Sequence, residues 1–382
     1  MAVIFLYFAL FLGVHFLSKQ FLDKPSGRAE RKRPGAARLF QLVACFILLF
    51  GFFGFRDITV LNDTSHYYGF YYQKAHVVSY INESIFSYHL SDTFEYGFQV
   101  LIHFLVKYVS NNPYTIILFS SFLISLGNVW FLDKYAGNVA ISSFVMIISG
   151  VYFDQYSMIR QAIAIMLFYV SFGYLSNNEN KKYIVTILLA SLFHLSALIL
   201  LILPLLKKLQ ICKRNILVII VSAVVVALFI HTILSVFGMA DTFYYKTSVH
   251  RSAPPIAALL NGSLMLLLIG ICLYLKKKYD KAYDPNIFWI CVMGVCISIV
   301  TPAFLPFFRL NAYIWPFIYM VVLKYLYTEK SKNILVYLSI LLLIRICVIL
   351  VFKSEWNHVI PYSFYDFSDH FRDYHMYMEK EI

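Results

Sequence analysis

Arginine, carboxylate, histidine and tyrosine side chains gather at the ends of long uncharged runs in this 382-residue chain. Arg56 closes one such run, and Asp63, His66 and Tyr67 follow it. Glu95 opens a short apolar segment, and Arg160 and Gln161 begin another. His194 interrupts the stretch 183–206, Arg309 precedes Asn311 and Tyr313, and Arg345 lies inside the last apolar run. Ionisable groups in or beside apolar spans are costly, so each is a functional candidate by default. Arginine grips phosphate oxygens through a planar fork and keeps its charge when desolvated. A carboxylate in an apolar setting is a stronger base than one in water. Tyrosines 67, 68, 71 and 72 offer flat faces to sugar rings. Together these types suit a lipid pyrophosphate carrying a glycan: arginines would hold the departing pyrophosphate, and a carboxylate or imidazole would take a proton from an acceptor hydroxyl.

Each residue also has a structural reading. Arg56 could anchor at the head groups, Asp63 could be a solvated loop residue, and Glu95 could favour a helix N-terminus. His194 could be a core histidine bonded to a carbonyl exposed by a turn. Arg345 reads as a packing or charge-pairing residue.

The elements that must position these groups follow from composition. The chain is 60% hydrophobic and 14% charged, against about a quarter charged for a soluble domain. Apolar runs recur from end to end and predict an all-α, polytopic transmembrane helical bundle of about ten to twelve spans. Helices are predicted over 2–18, 39–55, 113–132, 137–152, 157–175, 215–237, 256–275, 285–304, 309–327 and 333–352. The first lacks a basic n-region and a cleavage site, so it reads as a retained helix. Residues 1–352, with the outer loop 56–112, form the membrane domain, and 353–382 form an extracytoplasmic tail. Phe364, Phe367, Phe371, Tyr374 and Met378 mark that tail as an amphipathic helix. Glu95–Tyr108 reads as an interfacial helix. The six cysteines read as core packing, with neither a disulfide framework nor metal-ligand spacing. Asp366, Asp369, His370, Asp373 and His375 read as the polar face of the tail rather than a metal cluster.

Orientation comes from the basic residues. Lys19, Lys24, Arg28, Arg31, Lys32, Arg33 and Arg38 put the first loop in the cytoplasm, which leaves 56–112 outside. The formal charge of +12 is accounted for by such loops and does not signal nucleic-acid binding. A straight span over 183–206 would place Lys207, Lys208, Lys213 and Arg214 outside, against the rule. A hairpin that enters from the cytoplasm, turns near Phe193–Ser196 and returns restores it. Such re-entrant backbone survives only where protein or a water-filled cavity covers it. Arg56, Asp63, Glu95, Arg160 and Arg309 then share the outer half, with His194 at the floor of a cavity.

The stretch FGFRDITVLNDTSHYYGFY resembles the GxR…D…Y signature of the EpsG family, relatives of Wzy-type O-antigen and exopolysaccharide polymerases. FEYGFQVLIHFLVKY is similar to its ExG block and YSMIRQAIAIMLFYVSFGYL to its MxRQ block. FHLSA, FFRLNAYIWP and HVIPYSFY resemble its later blocks, in the family's order. One departure lies in Leu61–Asn62–Asp63–Thr64, where the family pattern is GxDYxxY-like. The resemblance implies a GT-C-like bundle in the bacterial cytoplasmic membrane. It implies a metal-independent glycosyltransferase with no cofactor that joins undecaprenyl-pyrophosphate-linked repeat units outside the membrane. The family's polar positions carry over to Arg56, Asp63, Tyr67, Glu95, Gly97, Arg160, Gln161, His194, Ser196, Arg309 and Tyr313. Asp63, Glu95 and His194 stand as catalytic candidates; Arg56, Tyr67, Arg160, Gln161, Arg309 and Tyr313 stand as substrate-binding ones. Donor and acceptor glycolipids and membrane lipid are the implied partners, and a chain-length regulator is a further candidate.

Two other classes compete. A ligase-like transferase would use the same lipid donor and differ only in its acceptor. A transporter or flippase would spread charges along a path through the bilayer and break helices in corresponding halves. One suspected broken segment, no repeat and an outward bias of polar groups favour an enzyme.

Overall fold

The computed structural model describes residues 2–19, 35–89, 94–236, 262–267, 270, 274, 285–328, 332–352 and 356–367. Among them the chain is helical, with no strand and one isolated bridge, Arg56 to Phe364. The helices are α1 (Ala2–Leu17), α2 (Ala36–Gly54), α3 (Thr64–Ala75), α4 (Val78–Asn82), α5 (Tyr96–Tyr108), α6 (Thr115–Tyr135), α7 (Val139–Ile148), α8 (Val151–Ser157) and α9 (Ile159–Ser176). They continue with α10 (Asn180–Ser191), a 3-10 helix (Leu195–Ile202), α11 (Leu203–Leu206), α12 (Lys213–Val236) and α13 (Pro285–Val300). A second 3-10 helix (Leu305–Leu310), α14 (Asn311–Thr328), α15 (Lys332–Phe352) and a last 3-10 turn (Trp356–His358) complete the order.

Five helices are long and apolar enough to cross a membrane, or six if the bent pair α7–α8 counts as one span. The chain is therefore a multi-pass membrane protein by length and composition. Most predicted spans coincide with helices to within a few residues. The straight span 137–152 does not: α7 ends at Ile148 and α8 leaves it at 76°. The cause is Gly150, whose φ of 87° a side chain would resist, and whose missing Cβ leaves room for the Trp356 ring. The predicted span 256–275 falls largely outside the described residues. The tail also departs from its pattern. Phe364 lies in a bridge and Phe367 in a turn, because Ser363 O accepts from Asp57 N (2.9 Å) and Tyr365 N donates to Phe55 O (2.9 Å). Phe371, Tyr374 and Met378 lie outside the described residues.

Packing divides the molecule into a bundle and a cap. The bundle core runs through α1, α2, α6–α9 and α13–α15, around Phe53, Tyr156, Tyr169 and Phe317. The cap joins α3, α5 and the first turns of α6 and α9 around Tyr67, Phe94, Phe98 and Ile159. The helix α5 is therefore buried on protein along Phe98, Ile102 and Leu105.

After α10 the chain doubles back, and α10 packs along the 3-10 helix that follows. The Tyr183 hydroxyl donates to Leu200 O across the pair (2.7 Å). The 12 residues of α10 reach about 18 Å, well short of a bilayer core of about 30 Å. Lys207 Nζ donates to Leu175 O, so the hairpin ends where α9 ends and α10 begins. That end of the bundle also carries the Arg38–Asp133 ion pair (2.6 Å) and Lys134 beside Gly173. The opposite end carries Arg56, Glu95, Arg160 and the hairpin tip.

Candidate functional site

The hairpin tip meets the start of α5, and the contact explains both residues of the ExG block. A turn between helical limbs leaves backbone groups without partners. Here Leu192 O accepts from Gly97 N (2.8 Å), and Leu195 N donates to Glu95 Oε1 (3.2 Å). A Cβ on Gly97 would lie 2.9 Å from Leu192 O, closer than real side chains come. Glycine is needed for that approach, and glutamate satisfies the other free group.

Glu95 is engaged on its second oxygen as well. Arg160 Nη1 donates to Glu95 Oε2 at 2.5 Å. The Arg160 guanidinium lies over the Phe94 ring, 4.5 Å from its centroid. The Tyr67 hydroxyl is a further hydrogen-bonding neighbour of Arg160, and the Asp63 carboxylate is close enough to act on Tyr67 electrostatically. Burial raises the Tyr67 pKa, which keeps its hydroxyl proton in place, while Arg160 and its hydrogen bond oppose the rise. The pair is mostly shielded from solvent, with side chains 13% and 22% exposed. Arg160 Nε is buried and without a partner.

His194 is at the tip, with Nδ1 3.9 Å from Glu95 Oε1. Ser196 N donates to that nitrogen (3.3 Å), and Ser196 Oγ lies 2.8 Å from it. Ser196 Oγ in turn is 3.1 Å from Tyr313 Oη. Tyr313, Ser196 and His194 thus form a hydrogen-bonded line from α14 to the tip. Burial pushes the His194 pKa below its ordinary value; Glu95 opposes that shift, and Arg160 and Arg309 reinforce it. The imidazole is therefore neutral at neutral pH, the state a general base requires.

Gln161, one residue into the same turn as Arg160, donates from Nε2 to Arg309 O (2.7 Å). This bond ties the 3-10 helix Leu305–Leu310 to the start of α9 and leaves the Arg309 side chain exposed beside the tip. Gln161 Oε1 and Asn311 Oδ1 are buried without partners.

The structure thus brings Tyr67, Glu95, Arg160, Gln161, His194, Arg309 and Tyr313 together from widely separated stretches, with Asp63 at the margin behind Tyr67. It does not bring Arg56 there. Arg56 is 0% exposed. Its guanidinium donates to Thr64 Oγ1 (3.2 Å), Ser121 Oγ (3.0 Å), Tyr156 O (3.1 Å) and Phe53 O. The phosphate-binding expectation for Arg56 gives way to a structural one, because the protein's own acceptors occupy the fork. Thr64, which stands in the departure from the family pattern, supplies one of them. Leu61, at the glycine position of that pattern, holds a φ of 69°. Arg345 donates to Ser149 O (2.9 Å), as a packing residue would.

Phe94 was not legible as a site residue. Its only signal was an aromatic directly before the glutamate. Among the described residues no group of three His, Cys, Asp or Glu could hold a metal ion. Asp369, His370, Asp373 and His375 lie outside them.

A model of the EpsG family matches residues 39–364. The chain belongs to the EpsG family. No curated relative and no solved structure matches it. Membership in the EpsG family suggests an exopolysaccharide polymerase-type function acting on lipid-linked saccharides. The matched stretch contains every site residue described above.

Proposed function

We propose that this EpsG-family chain is a glycosyltransferase that polymerises undecaprenyl-pyrophosphate-linked oligosaccharide repeat units on the extracytoplasmic side of the cytoplasmic membrane. The observation that carries the proposal is the Arg160–Glu95 pair abutting the hairpin tip, with His194 and the exposed Arg309 on either side of it. Arg309 and the free edge of Arg160 bind the pyrophosphate of the donor. The acceptor sugar hydroxyl attacks the anomeric carbon of the donor chain; the new C–O bond forms as the bond to the pyrophosphate oxygen breaks. Polyprenyl pyrophosphate leaves with the electron pair, held by the arginines. His194 takes the hydroxyl proton, and Glu95 steadies the imidazolium that results. Both oxygens of Glu95 accept hydrogen bonds, and His194 Nδ1 accepts one from Ser196 N, so Nδ1 takes the proton by giving up that bond. Asp63 is set one residue layer further out and orients Tyr67. Tyr67 and Phe94 are buried in the cap core beneath the exposed His66, within 6.2 Å of one another, so the sugar-stacking expectation for Tyr67 gives way to a supporting one and His66 faces the approach of the glycan.

The test is deletion of the gene followed by complementation. Loss should reduce surface polysaccharide from long chains to a single repeat unit. Arg160→Lys and Arg309→Ala should fail to restore chains at normal protein level. Intact chains lacking only transfer to a final acceptor would indicate the ligase reading, and accumulation of repeat units on the cytoplasmic face would indicate a flippase.

A further inference from the structure

At the end of the bundle away from Glu95, α6 and α9 finish side by side around a cavity of about 270 Å³. Trp130 and Lys134 of α6 and Gly173, Tyr174 and Asn177 at the end of α9 line it. Lys134 Nζ lies 4.9 Å from the centroid of Trp130 and 5.0 Å from that of Tyr135. Among the described residues it has no carboxylate partner, since the adjacent Asp133 is held by Arg38 through both oxygens (2.6 and 2.7 Å). The Tyr135 hydroxyl is buried and unpartnered. Both groups converge on Gly173: a Cβ there would meet Lys134 Nζ at 3.3 Å and Tyr135 Oη at 3.4 Å. The missing side chain leaves room for the ammonium at the cavity wall, while the Tyr135 hydroxyl is buried beside it and does not line the cavity.

Both helices are candidate membrane spans that end at this level. Directly above Lys134, at four-residue steps on α6, Trp130, Leu126 and Phe122 are exposed, and Val170 is exposed on α9. A cationic head at a helix end, an aromatic beside it and an apolar stripe running from it into the bilayer is the outline of one lipid molecule. A lysine with aromatic neighbours and no carboxylate partner, at the mouth of such a cavity, suits an anionic oxygen ligand.

We propose that this cavity binds the phosphate-bearing head of an anionic phospholipid, with an acyl chain lying along Trp130, Leu126 and Phe122. The lysine neutralises the phosphate, and the site is separate from the one at the hairpin tip. Its occupancy depends on neither the polymerase reading nor the direction in which the bundle is inserted.

The experiment is native mass spectrometry of the full chain in detergent, titrated with phosphatidylglycerol, phosphatidylcholine or inorganic phosphate. Wild-type protein should retain phosphatidylglycerol in preference to phosphatidylcholine. Lys134→Gln should cost about fivefold in phosphatidylglycerol affinity, the scale of one basic residue at an anionic surface, and leave phosphatidylcholine binding unchanged. Lys134 is exposed, so this substitution does not disturb the core. Tyr135→Phe, which removes a hydroxyl buried outside the cavity lining, should leave the same affinity unchanged. Equal retention of the two lipids by wild-type protein would overturn the proposal, as would unchanged phosphatidylglycerol binding in Lys134→Gln. Binding of inorganic phosphate that displaces the lipid would make this a free-anion site and overturn it as well.

Discussion

The guanidinium of Arg56 is surrounded by acceptors from the end of α2, from α3, α6 and α8, whereas that of Arg160 has a carboxylate on one side and an unpartnered Nε on the other. The same side chain therefore holds the fold in one place and is free to meet a ligand in the other. Arg56→Gln should leave the Tyr156 carbonyl short of a donor and Phe53 O with the Ser121 hydroxyl (3.3 Å), at about 1–3 kcal/mol for an orphaned acceptor. Thermal melting in detergent should show the loss, and polymer should fall only as far as protein level falls. Normal melting with abolished polymer would return Arg56 to the chemistry. Spacing from an apolar run could not separate the two arginines, because both end or begin one; only the identity of their neighbours does. His194 has a sharper signature. Its unfolded pKa is near the ordinary value of about 6.5, and burial lowers the folded one. Between the two the unfolded chain binds more protons, so this residue's contribution to stability falls as pH drops below about 6.5 and levels off below the folded pKa. Polymerisation should persist into mildly acidic solution and then decline as the imidazole charges. His194→Gln should be inactive at every pH, and its melting temperature should depend less on pH than that of wild type.

Glu95 and Gly97 work as one element with the hairpin, since Glu95 accepts from Leu195 N and Gly97 donates to Leu192 O. Gly97→Ala places a methyl 2.9 Å from that carbonyl and 3.0 Å from Leu192 Cβ, so either the tip or α5 must move. A shift on the order of 1 Å in a positioned group can cost a hundredfold in rate. We expect Gly97→Ala to retain folded protein and to lose polymer by about that factor in a membrane assay with lipid-linked repeat units; a normal rate would mean that the contact is not part of positioning. The reversal of the chain after α10 agrees with the charge-and-length reading, in which a straight helix would misplace four basic residues; whether it re-enters a membrane is the proposal tested below. The break between α7 and α8 was not legible, since a lone glycine in an apolar run is tolerated in ordinary helices, and the room it leaves is filled by Trp356 from far along the chain. The start of the tail, residues 364–367, departs from its helical pattern for a related reason. Its helical spacing is real, but the backbone of residues 55–57 offers the segment around Phe364 hydrogen bonds that a helix would forgo.

Among the described residues, many of the charges gather at two ends joined by α6 and α9. Arg38, Asp133, Lys134, Glu179, Lys182 and Lys207 meet at one end; Arg56, Glu95, Arg160 and Arg309 gather toward the other. In a straight span, Lys207 would lie a bilayer thickness away from Lys182. In the structure it reaches the last turn of α9, just before the start of α10, so the two lysines share a side whatever the direction of insertion. On the positive-inside rule we propose that this end faces the cytoplasm and the cap the outside. Single cysteines at Lys207 and at Ser84, an exposed residue of the cap, test this in a background lacking the native thiols. A membrane-impermeant maleimide should label position 84 in intact cells and position 207 only after permeabilisation. Labelling of both from outside would remove the re-entrant hairpin, while the reverse pattern would keep the hairpin and invert the protein, moving the Arg160–Glu95 site to the face where nucleotide-sugar donors rather than exported lipid-linked repeats are found.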